Sequence, residues 1–180
     1  MPPKNKVTTP VAGSWKSEVC DCCQDPALSC CVFWCNANAA GQVYQRFLRK
    51  PGTCCCIATL LWFFFIATPV MSQLSQTFRD MERCNIVDVL LDGCKEDFTV
   101  ANIVLALAFV LLVTSSIFST YIICTARKRL RERDRIPDGS CGATDDCCAS
   151  YWCQCCTLVQ MLRQDKIDGS SYQLCTPEAV

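Results

Sequence analysis

Cysteine is the residue type with the most chemistry to offer here, at 19 of 180 residues, and histidine is absent. Cysteine at this density indicates a disulfide scaffold, metal-bound thiolates or lipidated thiols. Two segments have C-x-x-C spacing, in which one tight turn brings two thiolates to a zinc ion. One pair from each segment would complete a four-thiolate site: Cys20, Cys23, Cys153 and Cys156. Further candidate ligands are Cys22, Cys30, Cys31, Cys35, Cys147 and Cys148. The alternative is that so cysteine-rich a sequence produces this spacing by chance.

Two apolar segments without a charged residue, 54–71 and 98–124, must position these cysteines. A bilayer core about 30 Å thick needs roughly 20 helical residues, so the first is at the short end and the second fits with some tilt. A buried core helix of a soluble protein is the alternative for one such run. Two in so small a chain leave too little polar sequence to cover them. The sequence therefore predicts a mainly α-helical membrane protein with two transmembrane helices.

Charges around these segments predict their orientation. Basic residues precede the first (Arg46, Arg49, Lys50) and follow the second (Arg127, Lys128, Arg129, Arg131, Arg133, Arg135). The stretch 72–97 between them is mainly acidic. Because Lys and Arg are retained in the cytoplasm, both termini are expected there, in a plasma membrane or endomembrane protein. The basic residues are expected to attract anionic inner-leaflet lipids.

The predicted order of segments follows from this topology. It runs as disordered tail 1–14, N-terminal cysteine-rich arm 15–53, transmembrane helix 54–71, exported loop 72–97, transmembrane helix 98–124, basic and cysteine-rich C-terminal arm 125–166, and tail 167–180. The two small cytoplasmic arms are expected to join into one module, since neither can bury a sizeable core alone.

Location also sorts the cysteines by chemistry. Cys84 and Cys94, in the exported loop, are a natural disulfide pair. The six cysteines before the first apolar segment and the seven after the second, including Cys175 in the tail, are expected to be metal ligands, acylation sites or free thiols in a reducing cytosol. Cys54, Cys55 and Cys56 stand at the cytosolic mouth of the first helix, where S-palmitoylation is expected. The alternative is that they serve there as small apolar residues.

Other functional classes find little support. Without histidine the usual general base is missing, no Gly-rich phosphate loop is present, and we expect no enzyme. Equal numbers of basic and acidic residues give no indication of a nucleic-acid partner. Ser116 and Thr120 share one face of the second helix, which favours a homo-oligomer interface over a pore lining or hydroxyls bonded to their own backbone. Residues 149–163 can form one helix lying along the membrane.

The arms resemble the placenta-specific gene 8 family, which includes plant cadmium-resistance and cell-number-regulator proteins. Its motifs are matched by two sets of residues: Trp15, Cys20, Asp21, Cys22, Cys23, Asp25, Cys30, Cys31, Phe33, Trp34, Cys35 and Gly41 in the first half, and Arg127 to Arg135, Gly139, Ser140, Asp146, Cys147, Trp152, Cys153, Cys156, Leu158, Gln160 and Arg163 in the second. The family's Cys-Pro-Cys, associated with heavy-metal passage in plant members, is replaced by Cys35-Asn-Ala37. The resemblance therefore implies structural metal binding more than transport.

Three functions are compatible with these sequence features. The first is a non-enzymatic two-pass membrane protein whose cysteine arms bind zinc or a related soft metal for structure or homeostasis. The second is an oligomeric heavy-metal cation exporter or channel-like protein. The third is a palmitoylated membrane organiser or surface protein without metal.

Overall fold

The computed structural model describes residues 13–82, 99–139, 142 and 144–173 of the protein. This part of the chain is mainly helical. After a 3-10 helix, Val19–Gln24, it contains six α-helices: α1 Pro26–Trp34, α2 Asn36–Leu48, α3 Thr53–Glu82, α4 Thr99–Asp134, α5 Asp145–Trp152 and α6 Gln154–Gln164.

The chain divides into two compact units. The first, which we call the cysteine-rich unit, comprises the described residues up to Ala58 and from Ser119 onwards, and so combines parts of both predicted arms. Its centre is α6, which packs against the 3-10 helix, α1, α2 and α5. The core consists of fully buried side chains from several helices, including Leu28, Val32, Leu130, Leu158 and Met161.

Local sequence explains where the short helices begin and end. Asp25 caps α1 by accepting a 3.0 Å hydrogen bond from the Leu28 backbone N–H, and Pro26 occupies the first turn, where its missing N–H costs nothing. Cys35 is non-helical and separates α1 from α2. Arg49 ends α2 in the left-handed conformation (φ 52°). These breaks allow short helices to fold around α6.

The second unit, which we call the helix-pair unit, is Thr59–Phe118 and contains the main apolar parts of α3 and α4. Ser75 is buried and its hydroxyl donates a 2.8 Å hydrogen bond to the Ala101 carbonyl, while Arg79 Nη2 donates to Asn102 Oδ1 at 3.2 Å. Both α3 and α4 are long and apolar enough to cross a membrane. Their large apolar side chains are mostly exposed, for example Phe65 at 70%.

Several observed boundaries differ from the predicted ones. α3 continues to Glu82, beyond the predicted end at residue 71, and α4 continues past Cys124 to Asp134, because helical backbone does not stop where apolar sequence does. The predicted single helix 149–163 is wrong: Cys153 interrupts it, and α6 lies buried in the unit core. Part of the predicted tail 167–180 also packs on the unit, where the Gly169 N–H donates to Asp25 Oδ2 at 2.8 Å.

Candidate functional site

The break between α5 and α6 brings Cys153 and Cys156 together. Their Cα atoms are 5.4 Å apart and the structure joins their sulfurs as a disulfide. This differs from the expectation that these two positions carry thiols. In reduced form, two sulfurs on one such turn are half of a tetrahedral soft-metal site. The turn can therefore hold either a disulfide or part of a zinc site, depending on its redox state.

The N-terminal C-x-x-C segment lies in the 3-10 helix, which packs against α6. Arg163 on α6 fixes this contact: its guanidinium donates to the Asp21 carbonyl at 3.0 Å and to Gln24 Oε1 at 2.9 Å. Cys23 is an exposed thiol, whereas the side chains of Cys20 and Cys22 lie outside the described part. Both C-x-x-C segments thus belong to one unit.

The described residues contain no group of three cysteine or acidic side chains arranged to hold a metal ion. Since Cys20 is one of the four predicted zinc ligands and falls outside the described side chains, the four-thiolate site stays a prediction. The predicted disulfide between Cys84 and Cys94 also lies outside the described residues.

Other predicted ligands occupy varied positions. The structure joins Cys147, at the start of α5, to Cys124 as a disulfide, with Cα atoms 4.9 Å apart. Cys30 is exposed, while Cys31, Cys35 and Cys148 are half-buried thiols. Cys147 was predicted as a thiol or ligand, and pairing with Cys124 was not foreseen.

The three juxtamembrane cysteines divide by exposure. Cys55 and Cys56 are exposed thiols, whereas Cys54 is buried and its backbone N–H donates to Gln45 Oε1 at 2.9 Å. An acyltransferase needs an accessible thiol, so Cys55 and Cys56 are the better candidates for lipidation.

Tyr172 lies among thiols of the same unit. Its hydroxyl is buried without a hydrogen-bond partner in the described part of the chain. Burial, followed by the proximity of Cys35, Cys31 and Cys54, raises the pKa of Tyr172 well above its ordinary value. The buried phenol therefore stays neutral.

A buried ion-pair network links α4 to α5 within the unit. Its residues belong to the sequence motifs, but the motifs alone do not predict these contacts. Arg127 and Asp146 are each 2% exposed, and the Arg127 Nε atom donates to Asp146 Oδ1 at 3.2 Å. Arg131 Nη2 reaches the other carboxylate oxygen at 2.9 Å. Arg127 also donates to Gln160 and lies 4.4 Å from the centre of the Trp15 ring. Arg127 and Arg131 thus serve packing inside the unit rather than a lipid surface.

Hydroxyl groups near the end of the second apolar segment also have partners within the unit. Ser119 Oγ donates to Gln154 Oε1 at 2.8 Å, and Gln154 Nε2 donates to Thr120 Oγ1 at 3.5 Å. Thr120, predicted to face another helix or a pore, is thus engaged with α6.

The cysteine-rich unit contains four residues of the sequence motifs: Trp15, Asp146, Gln160 and Cys153. Arg127 contacts the first three of them. A model of the PLAC8 family matches residues 15–164, which is most of the chain. The chain belongs to the PLAC8 family. The resemblance seen in the sequence motifs is thereby confirmed, and the matched range covers every element of the PLAC8 chain described above up to Gln164.

Two plant members of the family are similar at low identity. Cell number regulator 9 of Zea mays is 22% identical over 160 residues, covering 89% of this chain and 62% of that protein. Cell number regulator 4 of Zea mays is 26% identical over 161 residues, covering 89% of this chain and 72% of that protein. This PLAC8 chain thus spans less than two thirds of the length of the first relative. No solved structure matches it.

Proposed function

We propose that this PLAC8-family chain is a non-enzymatic, two-pass membrane protein whose cysteine arms bind zinc or a related soft metal, for structure or metal homeostasis. The observation that carries the proposal is the Cys153–Cys156 turn, which belongs to the same unit as the other C-x-x-C segment. A zinc ion bound by four thiolates, two from each segment, would cross-link the 3-10 helix to the start of α6.

The two-pass topology rests on exposure and on charge. Fully exposed apolar side chains are costly in water, and α3 and α4 carry many, including Phe109 at 64% and Ile117 at 66% exposed. A bilayer covers such a surface. The basic flanks favour a cytoplasmic position for both ends.

A homo-oligomer is supported by an apolar groove in the helix-pair unit. The groove is lined by small and apolar side chains of α3 and α4: Thr68, Ser72, Asn102, Leu105, Ala106, Ala108, Phe109 and Leu112. Small residues let a helix of a second copy approach closely, so we propose this groove as the contact between copies.

Metal analysis of the reduced, detergent-purified protein tests the proposal. We expect about one zinc ion per chain, lost in the Cys153→Ser/Cys156→Ser variant because two of four thiolates are removed. A Cys55→Ser/Cys56→Ser variant is the matched control and should keep its zinc, since both of these thiols are exposed on another helix. Elemental analysis by mass spectrometry gives the ratio.

Zinc content far below one per chain in the reduced wild type would contradict metal binding, as would full retention in the Cys153→Ser/Cys156→Ser variant. A metal-free protein with thioester-linked acyl chains on Cys55 and Cys56 would support the palmitoylated organiser instead. The exposure of these two thiols favours that second candidate.

A further inference from the structure

A cavity of about 370 Å³ in the cysteine-rich unit is lined mainly by arginine. It lies between the end of α2 and the last turns of α4, away from the cysteine pairs. Its lining consists of four guanidinium groups, one carboxylate and one ring: Arg46, Arg49, Arg129, Arg133, Glu132 and Phe47. Such a concentration of planar cations around one space suits phosphate, which arginine binds bidentately.

Some of these guanidinium groups are held by acidic neighbours. Arg46 Nε lies 3.2 Å from Asp165, and Arg133 lies 2.7 Å from both Asp134 and Asp165. Arg133 also lies over the Phe47 ring, 5.3 Å from its centre. These contacts fix the side chains of Arg46 and Arg133 in the cavity lining, so that an anion does not have to order them when it binds.

Donors remain for a ligand. Arg46 Nη1 is buried and has no hydrogen-bond partner in the described part of the chain. Arg49 is exposed and forms no ion pair with any described residue, and Arg129 is 63% exposed, with only Glu132 at 3.3 Å. Arg49 and Arg129 therefore keep donors that an anion in the cavity can accept from, while Arg46 adds positive charge to the lining.

The position of the cavity relative to the end of the apolar segment favours a lipid rather than a free anion as its ligand. Arg129 and Arg133 follow Cys124, the end of the apolar segment, by five and nine helical residues, which is about 7 and 13 Å along an α-helix. The headgroup layer on one side of a bilayer is about 5–8 Å thick. The arginines therefore extend from the headgroup layer outward. This step rests on the two-pass topology proposed above.

We propose that this cavity binds the headgroup of an anionic phospholipid that carries a phosphomonoester, such as a phosphorylated inositol lipid. The monoester projects beyond the phosphodiester layer and accepts hydrogen bonds from Arg49 and Arg129. Arg133, which Asp134 and Asp165 hold, adds positive charge to the part of the lining further from the apolar segment. A headgroup with only a phosphodiester and a carboxylate, as in phosphatidylserine, contacts fewer of the lining arginines.

Native mass spectrometry of the full chain in detergent tests the site with three lipids: phosphatidylinositol 4-phosphate, phosphatidylserine and phosphatidylcholine. We expect the first to bind the most tightly. The Arg49→Gln/Arg129→Gln variant should bind it about tenfold more weakly, since two guanidinium groups that bond the headgroup phosphate are removed. Lys128→Gln is the matched control, because Lys128 is exposed on the same helix but does not line the cavity.

Equal binding by the wild type and the arginine variant would overturn the proposal, as would an equal loss in Lys128→Gln, which would indicate diffuse charge attraction. Displacement of the lipid by inorganic phosphate at similar concentrations would show a free-anion site instead. No lining residue is a cysteine, so zinc binding can fail while lipid binding holds. A chain that stays soluble without detergent would reject the topology itself.

Discussion

Replacing Asp146 by alanine should destabilise the cysteine-rich unit by about 3–5 kcal/mol, because it removes the buried carboxylate bonded to the Arg127 guanidinium and leaves, among the described residues, only Asp145, at 3.8 Å, near that charge. Arg131 loses one of its two carboxylate partners in the described part of the chain at the same time and keeps only Asp138, since the Asp146 carboxylate binds both arginines. Asp146→Asn, which keeps the shape and removes the charge, should act in the same direction. Thermal unfolding of the purified protein, followed by tryptophan fluorescence, measures the loss; one of the four tryptophans, Trp15, stacks on Arg127 itself.

Asp145→Ala is the matched control for this prediction. Asp145 is the preceding residue, is 23% exposed, and approaches Arg127 only to 3.8 Å. A partly exposed pair at that distance contributes about 1 kcal/mol or less. Equal unfolding temperatures for the Asp145 and Asp146 variants would show that the buried pair does not stabilise the unit.

Gly41→Val should separate the middle of α2 from the start of α3. A Cβ atom at Gly41 would lie 2.7 Å from the Cys54 carbonyl oxygen, which belongs to the backbone and cannot rotate away. Overpacking of this kind costs about 1–3 kcal/mol, more than the roughly 1 kcal/mol or less that a helix interior gains on losing glycine. The Cys54 thiol, buried in the wild type, should become reactive.

Alkylation with a maleimide, mapped to individual cysteines by mass spectrometry, measures this change against Cys55 and Cys56, which are already exposed. Ala37→Val, on the same helix at a half-buried position, controls for the introduction of a β-branched side chain into α2. Unchanged labelling of Cys54 in Gly41→Val would mean that the close approach of the two helices is not needed.

The two long helices could be predicted because their signal is local. Uninterrupted apolar sequence without charge marks a helix that must be covered by lipid or protein, whatever the rest of the chain does. Their ends could not be predicted in the same way. Residues 125–134 are rich in charge and yet extend α4. Contacts of Arg127 and Leu130 inside the cysteine-rich unit stabilise this end of the helix.

The arrangement of the arms needed information that spacing does not contain. The sequence indicates Arg127 as one of the basic residues beside the membrane. In the structure its charge is buried against Asp146, 19 residues further along the chain. Periodicity likewise predicted one helix through Cys153, because apolar residues keep helical spacing on both sides of the break. The sequence motifs named Trp15, Asp146 and Gln160 without giving the contact that links them.

Membrane topology is the most direct test of the central claim, that both cysteine arms form one unit on the cytoplasmic side. The chain has no Asn-x-Ser/Thr acceptor, and Val87→Thr creates one at Asn85 in the predicted exported loop, whereas Val7→Thr creates one at Asn5. After expression in cells that glycosylate exported segments, Val87→Thr should carry a glycosidase-sensitive glycan and Val7→Thr should not. Glycosylation at Asn5, or its absence at Asn85 in the membrane-inserted protein, would contradict the account.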